Sequence, residues 1–303
     1  MMNRRGACIL TALLLGCSPK TEKAPAAPPT ADSRIPITDT LTFTVVPYEA
    51  AEKLAEEYQP MADYLAKGMG ASKGRFISVI DYAGVLKALE TGQVDVAYLS
   101  PFPYVLGSAK FKMEPLAMPW VLNSLTYRGI LFVRADSPVR TLQDLKGRRV
   151  AFGDRGSTTG YLLPRAMLEK AGVFPHIKWR NAGNANMVVK AVESGVEDCG
   201  AAYESVFQVA YRNQPEKAKK MRVIAHTEAI PNGIYVARAN LPPAQIAQLK
   251  RVFLAMESDE EGRRAMQKAP NDRIVPADDS LFNPVREVVQ AQGINLSLFE
   301  KRP

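Results

Sequence analysis

Lys87-Ala88-Leu89-Glu90-Thr91-Gly92-Gln93-Val94-Asp95 returns, 103 residues further along the chain, as Lys190-Ala191-Val192-Glu193-Ser194-Gly195-Val196-Glu197-Asp198. Lys, Ala, Glu, Gly and Asp recur at the same spacing, and a self-match of this kind marks a repeated structural unit. Each copy reads as the end of a helix, a glycine able to take the left-handed conformation that stops it, and a short apolar strand. The surroundings repeat as well. Before the first copy come a strand at 41–46 and a helical pattern with Leu54, Tyr58, Met61 and Leu65 on one face, which Pro60 is expected to kink or restart. A strand at 76–80, a helix at 82–91 and a strand at 94–99 complete that unit. The second unit has a strand at 149–153, a helix at 159–171 stopped near Gly172, a short segment near 177–179, a helix at 185–194 and a strand at 198–202. Both read βαβαβ, the alternation that builds a parallel sheet with helices on both faces. Two such units predict an α/β protein of two similar lobes, each a mainly parallel sheet flanked by helices.

Two further segments, 127–134 and 232–238, read as strands lying just before and just after the second unit. The chain therefore crosses to a second lobe and returns, and the two crossover strands are the expected hinge. Lobe 1 is discontinuous, 39–127 and 232–303, and lobe 2 is 128–231. An amphipathic helix from Leu241 onward is expected to pack back on lobe 1.

The beginning of the chain reads as an address. Arg4 and Arg5 precede a nine-residue apolar run at 7–15, too short for a bilayer, which needs about 20 residues. A charged start and short apolar core make a secretory signal over residues 1–17. Its end, Leu14-Leu15-Gly16-Cys17, resembles the bacterial lipobox, with Cys17 as the lipidated mature N-terminus; a plain signal peptide with a chance cysteine is the alternative. Residues 18–38, with Pro19, Pro25, Pro28, Pro29 and Pro36, read as a flexible tether. Ser18 after the cysteine points to the outer membrane in a source with two membranes. No later segment is apolar enough to span a bilayer. Cys199 is then the one cysteine left in the body, expected as a buried, inert thiol.

Of the 303 residues 47% are hydrophobic and 23% charged, with a net charge of +8 and a pI near 9.3. That balance favours anionic partners. No zinc-finger spacing and no long basic tract points to nucleic acid. The anion has a candidate seat in Asp154-Arg155-Gly156-Ser157-Thr158-Thr159-Gly160-Tyr161, which joins a strand to a helix. The first amides of a helix have no internal partner and, with the helix dipole, form an anion cradle. Ser157, Thr158 and Thr159 add hydroxyls suited to tetrahedral oxygens. An ordinary helix cap is the alternative, since Ser and Thr favour that position anyway. In open α/β sheets ligands bind beyond the carboxyl ends of the strands, where this segment lies.

The stretches 81–97 (Asp81-Tyr82-Ala83-Gly84 through Asp95-Val96-Ala97), 156–160 (Gly156-Ser157-Thr158-Thr159-Gly160) and 229–231 (Ala229-Ile230-Pro231) resemble the phosphonate/phosphite-type substrate-binding proteins of ABC importers. The likeness runs over about residues 40–255 in the same order. It implies the two-lobed type II periplasmic-binding-protein fold, a small phosphorus oxyanion (phosphonate, phosphite or phosphate) held at the hinge side of the cleft, and delivery to an ABC permease. By position it implies that Ser157, Thr158 and Thr159 hold the anion's oxygens, that Tyr82 faces it from lobe 1, and that Tyr127 lines the cleft at the first crossover. Two positions depart from the family pattern. Asn184 stands where members often have His, which keeps a hydrogen-bond donor without charge. Gly233 stands where members often have Asp, which argues against an aminophosphonate specificity; Glu204 is the candidate replacement acceptor.

Tyr48, after the first strand, is either a cleft residue or a packing residue. Ser100 either caps the helix that follows it or also touches ligand. Trp120 and Trp179 are expected in the core, and Arg155 as a solvated side chain. His176 and His226 are too few and too far apart for a metal site. No HisGluXxxXxxHis pair, no nucleophile elbow and no phosphate loop is present, so a binder rather than an enzyme is expected, with no cofactor and as a monomer. An enzyme on the same plan and a sensory binding protein are the alternatives.

Overall fold

The computed structural model describes residues 36–294. The signal at 1–17, Cys17 and most of the tether at 18–38 lie outside the described residues. The first lobe begins with β1 (Thr40–Val45), α1 (Ala51–Met69), β2 (Lys73–Phe76), α2 (Tyr82–Glu90), β3 (Val96–Leu99), α3 (Pro101–Lys110) and β4 (Met113–Trp120). A short β5 (Thr126–Tyr127) leads into the second lobe: β6 (Gly129–Arg134), β7 (Arg149–Phe152), α4 (Leu163–Lys170), β8 (Lys178–Asn181), α5 (Ala185–Glu193), β9 (Cys199–Tyr203), α6 (Val206–Ala210) and β10 (Met221–His226). The chain returns through β11 (Ile230–Pro231), antiparallel to β5. It ends with β12 (Ile234–Arg238), α7 (Pro243–Ala255), α8 (Glu260–Lys268), β13 (Arg273–Pro276) and α9 (Asn283–Ala291) in the first lobe.

The strand orders are β13-β4-β12-β3-β1-β2 and β10-β6-β9-β7-β8. The repeated unit supplies the parallel part of each sheet, β2-β1-β3 in one and β8-β7-β9 in the other. The expectation of mainly parallel sheets is corrected here: each is mixed, because strands outside the repeated units pair antiparallel, β12, β4 and β13 in the first and β6 and β10 in the second. The pair β5–β11 ties the two crossings together.

The repeated residues do the same work in both lobes. Gly92 and Gly195 each end a helix with a left-handed backbone, φ 72° and 75°. Asp95 accepts hydrogen bonds from the Thr42 amide (2.8 Å) and hydroxyl (2.6 Å), while its own amide donates back to the Thr42 carbonyl. Asp198 accepts from the Arg149 amide (2.9 Å), and its amide donates back to the Arg149 carbonyl. In each lobe one aspartate thus fastens the approach to the third strand onto the first. The first lobe adds a cation: Arg238 on β12 donates to Asp95 at 2.8 Å with both side chains buried.

Helices cover both faces of each sheet. On the first, α1, α7 and α8 bury Leu54, Tyr58, Met61, Leu65, Leu249 and Phe253 on one side. On the other side α2, α3 and α9 bury Val85, Leu89, Phe102, Leu106 and Val285. The four-residue apolar face expected for the first helix is therefore its buried face. That helix runs unbroken through Pro60, so the expected restart does not occur. The strand expected at 76–80 ends at Phe76 instead. Cys199 is fully buried and burial pushes its thiol up to about 12. Among the described residues no helix is long and apolar enough to cross a membrane.

Removing one partner of a buried ion pair leaves the other charge without its counter-ion in the pair, at a cost of up to about 3–5 kcal/mol, and Arg238 keeps its bond to Asn240. Asp95→Ala should therefore lower the free energy of urea unfolding by that amount. Asp198→Ala, whose arginine is half exposed, should cost clearly less. Equal losses would show that the buried cation is not what sets Asp95 apart.

Candidate functional site

The carboxyl ends of β3, β7 and β9 face one another across a cleft of about 760 Å3. The most informative wall is the turn after β7. Asp154 accepts from the Gly156 amide (2.6 Å), which tightens the approach. The chain then enters a π-helical turn, Thr158–Leu162, that leads into α4. Ser157 is its cap: the side-chain oxygen accepts from the Gly160 amide at 3.0 Å. Cap and cradle are not exclusive, because the Ser157 hydroxyl hydrogen stays available and the residue lines the cleft. The Ser157 carbonyl takes the amides of Tyr161 and Leu162, whereas the amides of Thr158 and Thr159 have no acceptor among the described residues. Two free amides and the helix start they belong to are what an anion requires.

The other lobe closes on this turn. The Thr158 oxygen accepts from the Phe102 amide of α3 at 2.9 Å, a buried bond between lobes. Pro101 and Pro103 flank that amide and have none of their own, so α3 offers its one early donor to Thr158. Thr158 is expected to present its hydroxyl to an anion; its oxygen accepts from Phe102, which leaves its hydroxyl hydrogen and its amide as the groups able to donate. Leu162 and Leu163 bury themselves against first-lobe residues. Across the far rim Asn186 donates to both oxygens of Glu49 at 2.7 Å.

The tyrosines complete the seat. Tyr82, the first residue of α2, lines the cleft; burial drives its phenol well up, partly offset by the adjacent Ser157 hydroxyl. Tyr127 on β5 is raised by burial too, and the hydroxyls of Thr159 and Thr158 face it. Tyr48 serves in both of its expected ways: it packs against the first-lobe core, bonds the Tyr58 hydroxyl at 3.2 Å and lines the cleft. Ser100 does not cap α3, a correction to that expectation; its hydroxyl is buried without a partner and faces the cleft. Asn184 lines the cleft while its carbonyl oxygen caps α5 through the Met187 amide, leaving its NH2 to donate. Glu204 is exposed on the cleft wall and accepts from the Arg128 amide at 2.9 Å. Arg155 is exposed, as expected, with its guanidinium over Trp179 and donating to Asn181. Trp179 packs among Phe152, Tyr161 and Phe174. No metal-binding group of His, Cys, Asp or Glu is found among the described residues.

Several lining residues escape a reading of the sequence. Tyr58, Tyr203 and Arg212 join the wall only through the tertiary fold. Asp154 lines it too, its carboxyl raised by burial, lowered by the Gly156 amide and raised again by Asp81. Tyr98 and the Leu99 carbonyl together explain Gly233. The Gly233 amide donates to the Tyr98 hydroxyl at 3.2 Å, and burial pushes that phenol up to about 12. A Cβ at 233 would lie 2.3 Å from the Leu99 carbonyl oxygen and 2.5 Å from the Tyr98 ring.

Two α/β lobes joined by paired crossings, with a cleft between them, define the fold of a solute-binding protein of the bilobed transport class. Residues 43–282 match the family described as ABC transporter, phosphonate, periplasmic substrate-binding protein, and the chain belongs to that family. It is 28% identical over 280 residues to a phosphate-import protein of Mycolicibacterium smegmatis, covering 84% of this chain and 86% of that one. Among solved structures, a binding protein component of an ABC phosphonate transporter from Pseudomonas aeruginosa superposes with a TM-score of 0.78 at 22% identity, covering 84% of this chain and 87% of that one. A Prochlorococcus marinus protein, solved in complex with methylphosphonate, superposes with a TM-score of 0.76 at 19% identity, covering 84% and 98%. These structures share the fold expected from the repeat and the resemblance.

Gly233→Ala should destabilise the protein by about 1–3 kcal/mol, the cost of forcing an extra methyl into a filled site. Adding Tyr98→Ala should recover only part, because the Leu99 carbonyl remains in the way. Full recovery on thermal or urea melting would show that the tyrosine alone excludes a side chain at 233.

Proposed function

We propose that this chain captures a small phosphorus oxyanion in the interlobe cleft and hands it to an ABC permease, without chemistry of its own. The observation that supports this reading best is the pair of unpartnered amides at Thr158 and Thr159. They point to a negatively charged guest, with the hydroxyls of Ser157 and Thr159 and the phenols of Tyr82 and Tyr127 as further donors. Ser100 and the Asn184 NH2 are the second tier, and Tyr48 bounds the space. Glu204 is an acceptor, for a ligand proton or a ligand amine. A relative named for phosphate import and a relative solved with methylphosphonate agree in ligand class.

Closure follows from the same groups. The open form exposes the cradle to water, and the first lobe then swings in about the two crossings, with 39–127 and 232–303 moving against 128–231. Expelling water strengthens each charge–dipole contact. A ligand favours closure only by the difference in its contacts between the two forms, and Tyr82, brought from the opposite lobe, is such a difference. We place the protein as a monomer in the periplasm, held to a membrane through lipid on Cys17 and a tether over 18–38.

Isothermal titration with phosphite, methylphosphonate, phosphate and a sulfonate tests the reading, with binding of at least one phosphorus anion expected. Ser157→Ala and Thr159→Ala should each weaken that binding by about 1–3 kcal/mol, the cost of losing a buried hydrogen bond. Unchanged affinity in both would remove the hydroxyls from the site. Asp154→Asn should act in the opposite sense. It keeps the bond to Gly156 and deletes a like charge, so affinity should rise about fivefold, as for charges interacting weakly across partly wet space. Because the Asp154 carboxyl is raised, acidification neutralises it earlier than a free aspartate and should bring the same gain, which the Asn variant should lack.

A further inference from the structure

The cleft is much larger than its cradle requires. About 760 Å3 lies within the range of about 300–1,000 Å3 that suits drug-sized molecules. A tetrahedral oxyanion fills the room of only a few waters, at about 30 Å3 each. Beyond the cradle the wall changes character: Tyr58, Tyr98 and Tyr203 are among its lining residues, and Val209 and Arg212 line the space beside α6. Arg212 also borders an adjoining hollow of about 370 Å3 that Lys190 and Lys217 line with it.

Arg212 is a cation without a carboxylate. Among the described residues its guanidinium has no hydrogen-bond or ion-pair partner. The nearby acids are engaged elsewhere: Glu193 with Lys217 at 3.9 Å, Glu204 with the Arg128 amide, and Glu49 with Asn186 and the Ala50 amide. A guanidinium presents a planar fork of donors that matches a carboxylate or a phosphoryl group two bonds at a time. A bare oxyanion on the cradle would leave this fork, and the aromatic wall before it, untouched.

We propose that the ligand is an organophosphorus acid carrying a second anionic group: the phosphorus end sits on the amides of Thr158 and Thr159, an organic spacer runs past Tyr98 and Tyr203, and a carboxylate or second phosphoryl group meets Arg212. This rests on the cradle reading above. A role for Arg212 as a general attractor of anions makes a different prediction, since it would favour every phosphonate alike.

The test is isothermal titration of the whole protein with two series, n-alkylphosphonates and ω-carboxyalkylphosphonates of matching chain length. At one spacer length the carboxylated ligand should bind at least about tenfold tighter than its alkyl partner, the gain of a charge-assisted hydrogen-bonded pair. In Arg212→Gln that ratio should fall to near one, with the alkyl series serving as the control for a folded, competent cleft. A carboxylate that brings no advantage at any length, or an advantage that survives Arg212→Gln, overturns the inference while leaving the cradle intact. Failure of both series and of methylphosphonate to bind overturns the cradle and this inference together.

Discussion

Each lobe hangs on a carboxylate that ties the approach to its third strand to its first. Asp95 and Thr42 exchange hydrogen bonds in both directions, as do Asp198 and Arg149. Because the bonds are reciprocal, they fix register as well as proximity. Once β1 and β3, or β7 and β9, are aligned at one end, their other ends emerge level. Those level ends supply Tyr98 and Ser100 on one wall and Tyr203 and Glu204 on the opposite wall. A crevice beyond the carboxyl ends of strands is where open α/β sheets bind ligands, and here two such edges are turned toward each other. The repeated motif is thus a device for levelling strands, which accounts for its recurrence in sequence.

The chemistry between those walls balances attraction against discrimination. On the proposed assignment amides, hydroxyls and phenols dominate the seat, so an anion is met by dipoles rather than by a buried cation. Phenols that burial holds protonated, such as Tyr98, remain donors across the physiological range. On that assignment Asp154 also works against the anion from within the same turn. On the proposed assignment its carboxylate shapes the loop through the Gly156 amide at some expense in affinity, which disfavours guests that bring charge but too few acceptors.

Much of the architecture was legible because it follows from periodicity and spacing: the repeat, the βαβαβ units, the crossings and the helix after Leu241. What stayed hidden had physical reasons. β4 contains Pro115 and Pro119, which read as breakers, yet it lies between β12 and β13 with both prolines in register. β2 is Lys73-Gly74-Arg75-Phe76, too polar to read as a strand. β10 is an edge strand paired on one side only. In the cleft, the local motif at 156–160 was readable because helix starts announce themselves in sequence. Tyr58, Tyr203 and Arg212 were not, since nothing local distinguishes them from packing or solvated residues. The commitment of Thr158 to Phe102 was equally unreadable, being a contact between positions 56 residues apart.

The prolines at the start of α3 have a consequence for the order of events. Pro101 and Pro103 strip that helix of early donors, and the one at Phe102 is spent on Thr158. On the proposed assignment the amides that seat the guest, those of Thr158 and Thr159, belong to one half of the molecule. On that assignment loading has a direction: a guest settles first on the half built from β6 to β10, and the other half arrives later as a cover. Loss of that cover alone should leave a weak but still recognisable host.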